Sequence, residues 1–261
     1  IFQGIMKIGI GITTYNAEHY FKDLYDSLPL DKIDELVVVN GGKPYKGNYK
    51  DAHWIQHKKN YYPSVCRNDN LRFLQERDCD YYITLEDDMV IKDPDIFEKY
   101  IEAAEKSKIG YFCFASTSWG SGEPGNRTPA VELQYSKDVS VGLYPNMCNE
   151  FTFKTKECLN DTGLYDNKFR YIFDVENVYR ISKTKHIPAF WYFPDIKNSD
   201  DLIMNHPETQ TRINEGGARD KKLSAEYKMF FDKHNDNIQT IPKLSKEEVK
   251  SKIYENSNRN Q

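Results

Sequence analysis

The chain has 261 residues, of which 39% are hydrophobic and 29% are charged, a composition typical of a folded globular domain and unlike that of a disordered chain. Its net charge of −4 argues against broad, non-specific binding of nucleic acid. No apolar run is long enough to cross a bilayer, and no cysteine belongs to a Cys-x-x-Cys pair, which excludes zinc-ribbon and redox motifs. We therefore expect a soluble, cytoplasmic protein with no membrane span.

Strands and helices alternate along the first half of the chain. Isoleucine at every second position predicts a strand over 7–16, and apolar residues three and four apart predict a helix over 17–28. The apolar run 36–39 predicts a strand that is buried on both faces. Further strands are predicted at 54–55, 81–85 and 109–115, and further helices at 64–77 and 94–106.

This alternation of strand and helix predicts a three-layer α/β/α fold with a mainly parallel central sheet. Ligands of such sheets bind beyond the carboxyl ends of the strands. Polar clusters follow three of the predicted strands, at residues 14–16 (Thr-Tyr-Asn), 40–42 (Asn-Gly-Gly) and 86–88 (Glu-Asp-Asp). We expect these clusters to converge on one edge of the sheet.

The second half has fewer regular patterns. Residues 116–130 are rich in Gly, Ser, Thr and Pro and predict a long loop beside the site. The segment after it looks irregular as far as a predicted helix at 223–234. The charged tail from Lys243 predicts a loosely attached helix.

Three adjacent acidic residues at the end of a strand indicate a cation site. Glu86, Asp87 and Asp88 repel one another and lose hydration at a sheet edge, and a divalent ion offsets both costs. Mg²⁺ and Mn²⁺ prefer such oxygen ligands. The alternative is a solvated acidic turn ahead of the helix at Pro94, where Asp93 would act as the cap.

An ordered set of motifs resembles one enzyme family. Residues 12–16 (Ile-Thr-Thr-Tyr-Asn), 38–42 (Val-Val-Asn-Gly-Gly), 66–68 (Cys-Arg-Asn) and 85–88 (Leu-Glu-Asp-Asp) are similar to nucleotide-contacting segments of the inverting GT-A fold glycosyltransferases. The last of these resembles the Glu-Asp-Asp version of the DxD motif. Asn40 departs from the pattern, because the family usually has a base-reading aspartate there. The resemblance implies a GT-A-type α/β fold with a Rossmann-like nucleotide-binding half.

The resemblance extends into the second half. Residues 174–180 (Asp-Val-Glu-Asn-Val-Tyr-Arg) resemble the element that opens the acceptor helix and supplies the catalytic base. Phe173 replaces the usual first acid, so the resemblance gives this role to Asp174, with Glu176 as its rival. Helix capping is the alternative explanation for these acids. His206 lies where related enzymes place a metal-binding histidine, although a lone histidine is often structural.

The resemblance implies a cofactor, a donor and a set of roles. Mn²⁺ or Mg²⁺ would be bound by Asp88 and His206 and would bridge the phosphates of a nucleoside-diphosphate sugar, with UDP as the expected nucleotide. Asp174 would deprotonate the acceptor hydroxyl in one inverting displacement. Trp119 would stack on a sugar, unless it packs beneath its loop. The residues assigned to the nucleotide sugar are Thr13, Thr14, Tyr15, Asn40, Arg67, Asn68, Glu86, Asp87 and Trp119.

These interpretations divide the chain into four parts. Residues 1–5 are set aside as a tag remnant, since residues 2–4 resemble the end of a protease cleavage site and Met6 would then be the native start. Residues 6–115 form the nucleotide-sugar half and 116–242 the acceptor and catalytic half of the same domain. Residues 243–261 form the charged tail.

The acceptor and the reaction class have alternatives. The acceptor is expected to be a glycan or polysaccharide or, as a second choice, a hydroxymethylated or glycosylated pyrimidine in phage-type DNA. A sugar-phosphate nucleotidyltransferase and a non-catalytic nucleotide- or carbohydrate-binding module are the rival functions. Basic residues that would bind DNA phosphates, unless they are merely solvated, are Lys43, Lys46, Lys50, Lys58, Lys59, Arg212, Arg219, Lys221 and Lys222.

Overall fold

The computed structural model describes residues 6–114, 128–145, 150–206 and 217–258. Its strands are β1 (Ile8–Thr14), β2 (Glu35–Asn40), β3 (His53–Gln56), β4 (Tyr81–Glu86), β5 (Met89–Ile91), β6 (Tyr111–Cys113), β7 (Val131–Gln134), β8 (Ser140–Tyr144), β9 (Phe151–Thr155), β10 (Phe193–Ile196) and β11 (Ile203–Asn205). Its α-helices are α1 (Glu18–Ser27), α2 (Pro63–Glu76), α3 (Ile96–Ser107), α4 (Lys156–Thr162), α5 (Phe173–Ser182), α6 (Gly217–His234) and α7 (Lys246–Asn258).

The predicted, mainly parallel sheet is confirmed. Its strands lie in the order β3-β2-β1-β4-β9-β6, and the pairs of strands from β3 to β4 are parallel. Strand β9 is antiparallel to both of its neighbours and begins beside the end of β4, where Phe151 pairs with Leu85. The sequence analysis expected an irregular segment here, because a strand of five residues is too short to show a clear period.

Helices cover both faces of the sheet. Alternate residues of β2 point to opposite sides, so Val38 packs in a core with α1 and α3, while Val37 packs in a second core with α2, α4 and α5. The predicted α/β/α layering is therefore confirmed. Two smaller sheets adjoin this body, one with the order β10-β8-β7 and one that pairs β11 with β5.

Helix α2 packs very close to β1. A Cβ atom at Gly11 would lie 2.5 Å from Cβ of Asn70, so only glycine permits this approach. The buried face of α2 is largely polar and includes Arg67 and Asn68, whereas Val65 is only half-buried. Polar groups thus occupy the helix face that packs against the sheet, close to the ends of its strands.

The charged tail packs more tightly than expected. Val249 of α7 is fully buried and Ile253 lies on the same side of the helix, so the two form an apolar stripe that joins the core. Tyr192 also donates a hydrogen bond to the carbonyl of Leu244, over 2.7 Å. Among the described residues, no helix combines the length and apolar character that a membrane span requires.

Candidate active site

The carboxyl ends of β1, β2 and β4 form one edge, as the sequence predicted. Thr14 pairs with Asn40 in the β1–β2 register, and Thr13 pairs with Glu86 in the β1–β4 register. The three polar clusters are therefore neighbours because their strands are hydrogen-bonded side by side. This edge is the candidate active site.

Three carboxylates meet at this edge. Glu86 ends β4, Asp88 lies in the turn to β5, and Glu150 directly precedes β9; one oxygen from each lies within 4.8 Å of the others. Asp88 is 5% exposed and Glu150 is 6% exposed. Buried carboxylates at this spacing repel one another, and their oxygens are the donors that a hard divalent cation prefers. The donor set therefore fits Mg²⁺ or Mn²⁺.

Glu150 was missed by the sequence analysis. It belongs to no recognisable motif and lies 64 positions after Glu86 in the sequence. The sheet brings the two together, because β9 lies next to β4 and the amide of Glu86 donates to the carbonyl of Glu150 over 2.8 Å. Asn205 of β11 also donates its side-chain amide to the Glu150 carboxylate. Only the insertion of β9 into the sheet reveals this residue.

His206 reaches the acidic cluster through its backbone. Its amide donates to the carbonyl of Asp88 over 2.6 Å, continuing the pairing of β11 with β5. Its imidazole Nε2 lies 3.1 Å from Oδ2 of Asp23, and its ring lies 4.7 Å from that of Tyr20. The structure therefore groups Asp88 with Glu86 and Glu150, while the imidazole contacts α1.

Asp87 is held by the loop that follows β1. Its carboxylate accepts hydrogen bonds from the hydroxyl of Thr14 and from the amide of Tyr15, the latter over 3.3 Å. Tyr45 fixes Thr14 in turn, since its hydroxyl contacts the Thr14 hydroxyl and accepts from the amide of Ala17 over 2.9 Å. Desolvation by burial raises the pKa of Asp87 to about 7. The sequence analysis did not find Tyr45.

Tyr15 and Asn40 differ in accessibility. The Tyr15 ring is 51% exposed and lies against Gly41, so one face is available to a flat ligand. Asn40 is fully buried: its side-chain nitrogen donates to the carbonyl of Lys43 over 2.8 Å, and its oxygen accepts from the amide of Gly42 over 2.7 Å. The Asn40 side chain thus stabilises the loop that shapes the edge.

Arg67 and Asn68 lie beneath the edge. Arg67 is 1% exposed, and its Nη2 donates to Oε1 of Glu86 over 2.9 Å. Burial opposes its charge, but Tyr165, Glu86 and Asp174 raise its pKa. Asn68 exchanges hydrogen bonds with the backbone of Tyr165, at 2.8 and 2.9 Å. Both predicted nucleotide-binding residues therefore fix the protein scaffold in this structure.

Asp174 lies in the first turn of α5 and is half-buried. Its Oδ1 accepts from the amide of Val175 over 2.8 Å. It does not cap the helix, because the N-cap position is Ile172; the carboxylate of Glu226 instead accepts from the amide of Ile172 over 3.0 Å. The negative charge of Asp174 contributes to the raised pKa of Arg67.

Glu176 is enclosed by basic side chains. Its carboxylate is fully buried and accepts from Nε of Arg180 over 2.9 Å and from Nζ of Lys233 over 2.6 Å. His234 lies 3.1 Å away, and burial lowers the pKa of its imidazole. Burial alone would raise the pKa of Glu176, but the hydrogen bonds from Arg180 and Lys233 lower it. Glu176 thereby ties α5 to α6.

Some predicted residues lie outside the described part of the chain. Trp119 and Arg212 fall in ranges that the structure does not describe, and the same holds for the side chains of Arg219 and Lys221. Their predicted contacts with a sugar or with phosphates stay predictions.

This architecture, a mainly parallel central sheet covered by helices on both faces, is a GT-A-like α/β fold. TarS 1-349 from S. aureus is similar, with a TM-score of 0.57 and 12% identity over 97% of this chain and 71% of that one. The mannosyltransferase PcManGT from Pyrobaculum calidifontis, solved with GDP-Man and Mn²⁺, has a TM-score of 0.55 and 12% identity over 97% and 69%.

TarS 1-349 has also been solved with UDP-GlcNAc, at a TM-score of 0.57, 13% identity and coverage of 97% of this chain and 72% of that one. Against a longer TarS chain, the match covers only 33% of that chain. No protein-family model and no curated protein matches the sequence. The similarities establish the fold.

Proposed function

We propose that this chain is a divalent-metal-dependent glycosyltransferase that moves a sugar from a nucleoside-diphosphate sugar to an acceptor hydroxyl. The observation that carries the proposal is the cluster of half-buried Glu86 with buried Asp88 and Glu150 at the edge of the sheet where ligands of such folds bind. The similar folds of TarS with UDP-GlcNAc and of PcManGT with GDP-Man and Mn²⁺ support it.

The cluster is the proposed metal centre. Asp88, Glu86 and Glu150 would hold the ion, and His206 stays the predicted further ligand, although its imidazole contacts Asp23 here. When bound, Mn²⁺ or Mg²⁺ neutralises charge on the leaving diphosphate.

The loop after β1 is the proposed nucleotide site. Tyr15 offers an exposed ring face to the base, and Thr14 orients the Asp87 carboxylate toward this loop. A carboxylate held in this way is suited to accept hydrogen bonds from ribose hydroxyls. UDP is the proposed nucleotide, in keeping with the complexes of TarS with UDP and UDP-GlcNAc.

Asp174 is the proposed catalytic base. It takes the proton of the acceptor hydroxyl as that oxygen forms a bond to the anomeric carbon and the bond to the diphosphate breaks. Attack from the opposite face inverts the configuration. Glu176 is the weaker candidate, because Arg180 and Lys233 already bind its carboxylate and lower its pKa, which makes it a poor base.

The acceptor is proposed to be the hydroxyl of a glycan or polysaccharide, or that of a modified pyrimidine in DNA. A specific surface feature favours the second, and it is described in the next subsection. A nucleotidyltransferase is less well supported, because residues 9–11 lie inside β1 and form no glycine-rich phosphate loop.

The proposal is tested by titration calorimetry. The chain is titrated with UDP and with several UDP-sugars, in buffer that contains either Mn²⁺ or EDTA. We expect nucleotide binding that requires Mn²⁺, and Asp88→Asn should abolish it. Asp78→Asn is the matched control, since Asp78 is exposed and its left-handed backbone suits asparagine. Absence of metal-assisted UDP binding would refute the proposal, and slow UDP-sugar hydrolysis would separate an enzyme from a binding module.

A further inference from the structure

Two loops beside the candidate site carry tyrosines that are exposed or half-buried, and each ring has a cation near it. Tyr61 and Tyr62, which precede α2, are 38% and 40% exposed. Nζ of Lys59 lies 5.2 Å from the ring centre of Tyr61, and the guanidinium carbon of Arg170 lies 4.1 Å from that of Tyr62. Arg170 also donates to the Tyr62 hydroxyl, which joins the two loops.

The second loop extends this surface. Nζ of Lys222, at the start of α6, lies 5.4 Å from the ring centre of Tyr171. The carboxylate of Glu226 accepts from the amides of Arg170 and Tyr171, at 2.8 and 2.9 Å, and so fixes the loop in place. We name the six residues of this surface the cation–aromatic face: Lys59, Tyr61, Tyr62, Arg170, Tyr171 and Lys222.

Lys59 and Arg170 give this face positive charge although the chain is acidic overall. Within the described ranges, no carboxylate forms an ion pair with Lys59 or Arg170. The nearby acids have other partners: Asp69 pairs with His57 and Arg72, and the Glu226 carboxylate binds backbone amides. An anionic ligand would therefore meet the positive charges of Lys59 and Arg170 here.

The chemistry of this face matches one class of polymer. Alternating cations and exposed rings bind a chain that carries both phosphates and flat bases, because each base can stack on an aromatic ring while the cations contact the backbone. A neutral polysaccharide would use the rings and leave the cations without phosphates.

We propose that the cation–aromatic face binds an unpaired nucleic-acid strand and presents a hydroxyl on one of its bases to the active site. Arg170 precedes Asp174, the proposed base, by four residues in the segment that leads into α5. A strand on the face would thus lie beside the segment that carries the proposed base. This inference rests on the proposed function and specifies its substrate class.

Fluorescence anisotropy with a labelled, single-stranded oligodeoxynucleotide tests this assignment on the full chain at low salt. We expect binding that weakens with salt, and Arg170→Gln and Tyr62→Leu should each weaken it about tenfold. Arg77→Gln is the matched control: Arg77 is also an exposed arginine stacked on a ring, 4.6 Å from Phe73, but at the opposite end of α2. It should leave binding unchanged.

Three outcomes would overturn the inference: no binding at low salt, equal losses in Arg77→Gln and Arg170→Gln, or equally tight binding of base-free polyphosphate. Calorimetry of Mn²⁺-dependent UDP binding on the same samples separates the two proposals. If UDP binds and the oligonucleotide does not, only the nucleic-acid acceptor is wrong. If UDP does not bind the parent chain, the proposed function itself fails.

Discussion

Arg67 donates from Nη2 to Oε1 of Glu86 over 2.9 Å, so a nearly fully buried guanidinium lies directly behind the acidic cluster. The same guanidinium lies 5.3 Å from the ring centre of Phe173, the first residue of α5. One cation from α2 therefore contacts both a proposed metal ligand and the helix that carries Asp174. The proposed donor and acceptor sites share this support.

Replacement of Arg67 tests this support. Arg67→Met should lower the free energy of unfolding by on the order of 3 kcal/mol, because it removes the guanidinium that is ion-paired with Glu86 beside other carboxylates. Mn²⁺ should restore part of the loss, since the ion would replace the missing positive charge. Chemical denaturation with and without Mn²⁺ measures both effects.

Arg72→Met is the control for that experiment. Arg72 lies on the same helix and pairs with Asp69 at the surface, so its loss should cost less than about 1 kcal/mol and should not respond to Mn²⁺. Similar costs for the two variants would contradict a special role for Arg67.

The structure adds Glu150 to the proposed metal ligands, whereas the sequence resemblance added His206. Glu150→Gln should weaken Mn²⁺ binding to the donor-free chain about tenfold or more, because a buried carboxylate ligand is lost. His206→Ala should change it by less than about threefold, since the imidazole contacts Asp23 and Tyr20. Calorimetric titration with Mn²⁺ gives both affinities, and the reverse ranking would favour His206 over Glu150 as the further ligand beside Asp88.

Asp174→Asn should separate donor binding from transfer. Asparagine keeps the size of the side chain but cannot accept the acceptor proton, so transfer should fall by about 100-fold or more while UDP-sugar affinity changes little. Glu176→Gln serves for comparison, because its effect should appear mainly in stability. Single-turnover measurement of the rate of sugar transfer and calorimetry of UDP-sugar binding together check this assignment. A loss of donor affinity in Asp174→Asn would mean that Asp174 binds the donor.

The Glu176 cluster should make stability depend on pH in one direction. The pKa of Glu176 is lower in the folded chain than its ordinary value of 4.5. Its ionised form is therefore stabilised by folding, fully above pH 4.5, and this contribution is lost as the pH falls through the lower, folded value. At pH 7, Glu176→Gln should cost on the order of 3 kcal/mol, because Arg180 and Lys233 lose their buried partner.

Urea denaturation of the parent chain and of Glu176→Gln, from pH 7 to below pH 4, measures this dependence. Below about pH 4.5 the difference between the two should shrink as Glu176 becomes protonated in the parent chain. Glu76→Gln, an exposed change on α2, should show no such trend. A difference that widens at low pH would contradict the ion-pair explanation.

The sequence by itself determined the layered sheet and the convergence of its polar clusters. Alternating isoleucines in β1 and the apolar run in β2 define buried strands, and the carboxyl ends of parallel strands must share one edge. The adjacency of Thr14, Asn40 and Glu86 followed from these local patterns. Each is encoded within a few residues, and no knowledge of distant contacts is needed.

Only the tertiary structure decided which side chains meet at this edge and which hydrogen bonds they make. Glu150 joins the acidic cluster because β9 inserts antiparallel beside β4, a pairing between distant segments that leaves no local pattern. Asn40 and Arg67 lie in segments that resemble ligand-binding motifs, yet their side chains form hydrogen bonds to a loop and to Glu86. A residue type limits which hydrogen bonds a side chain can make, but the packed neighbours determine which of them form.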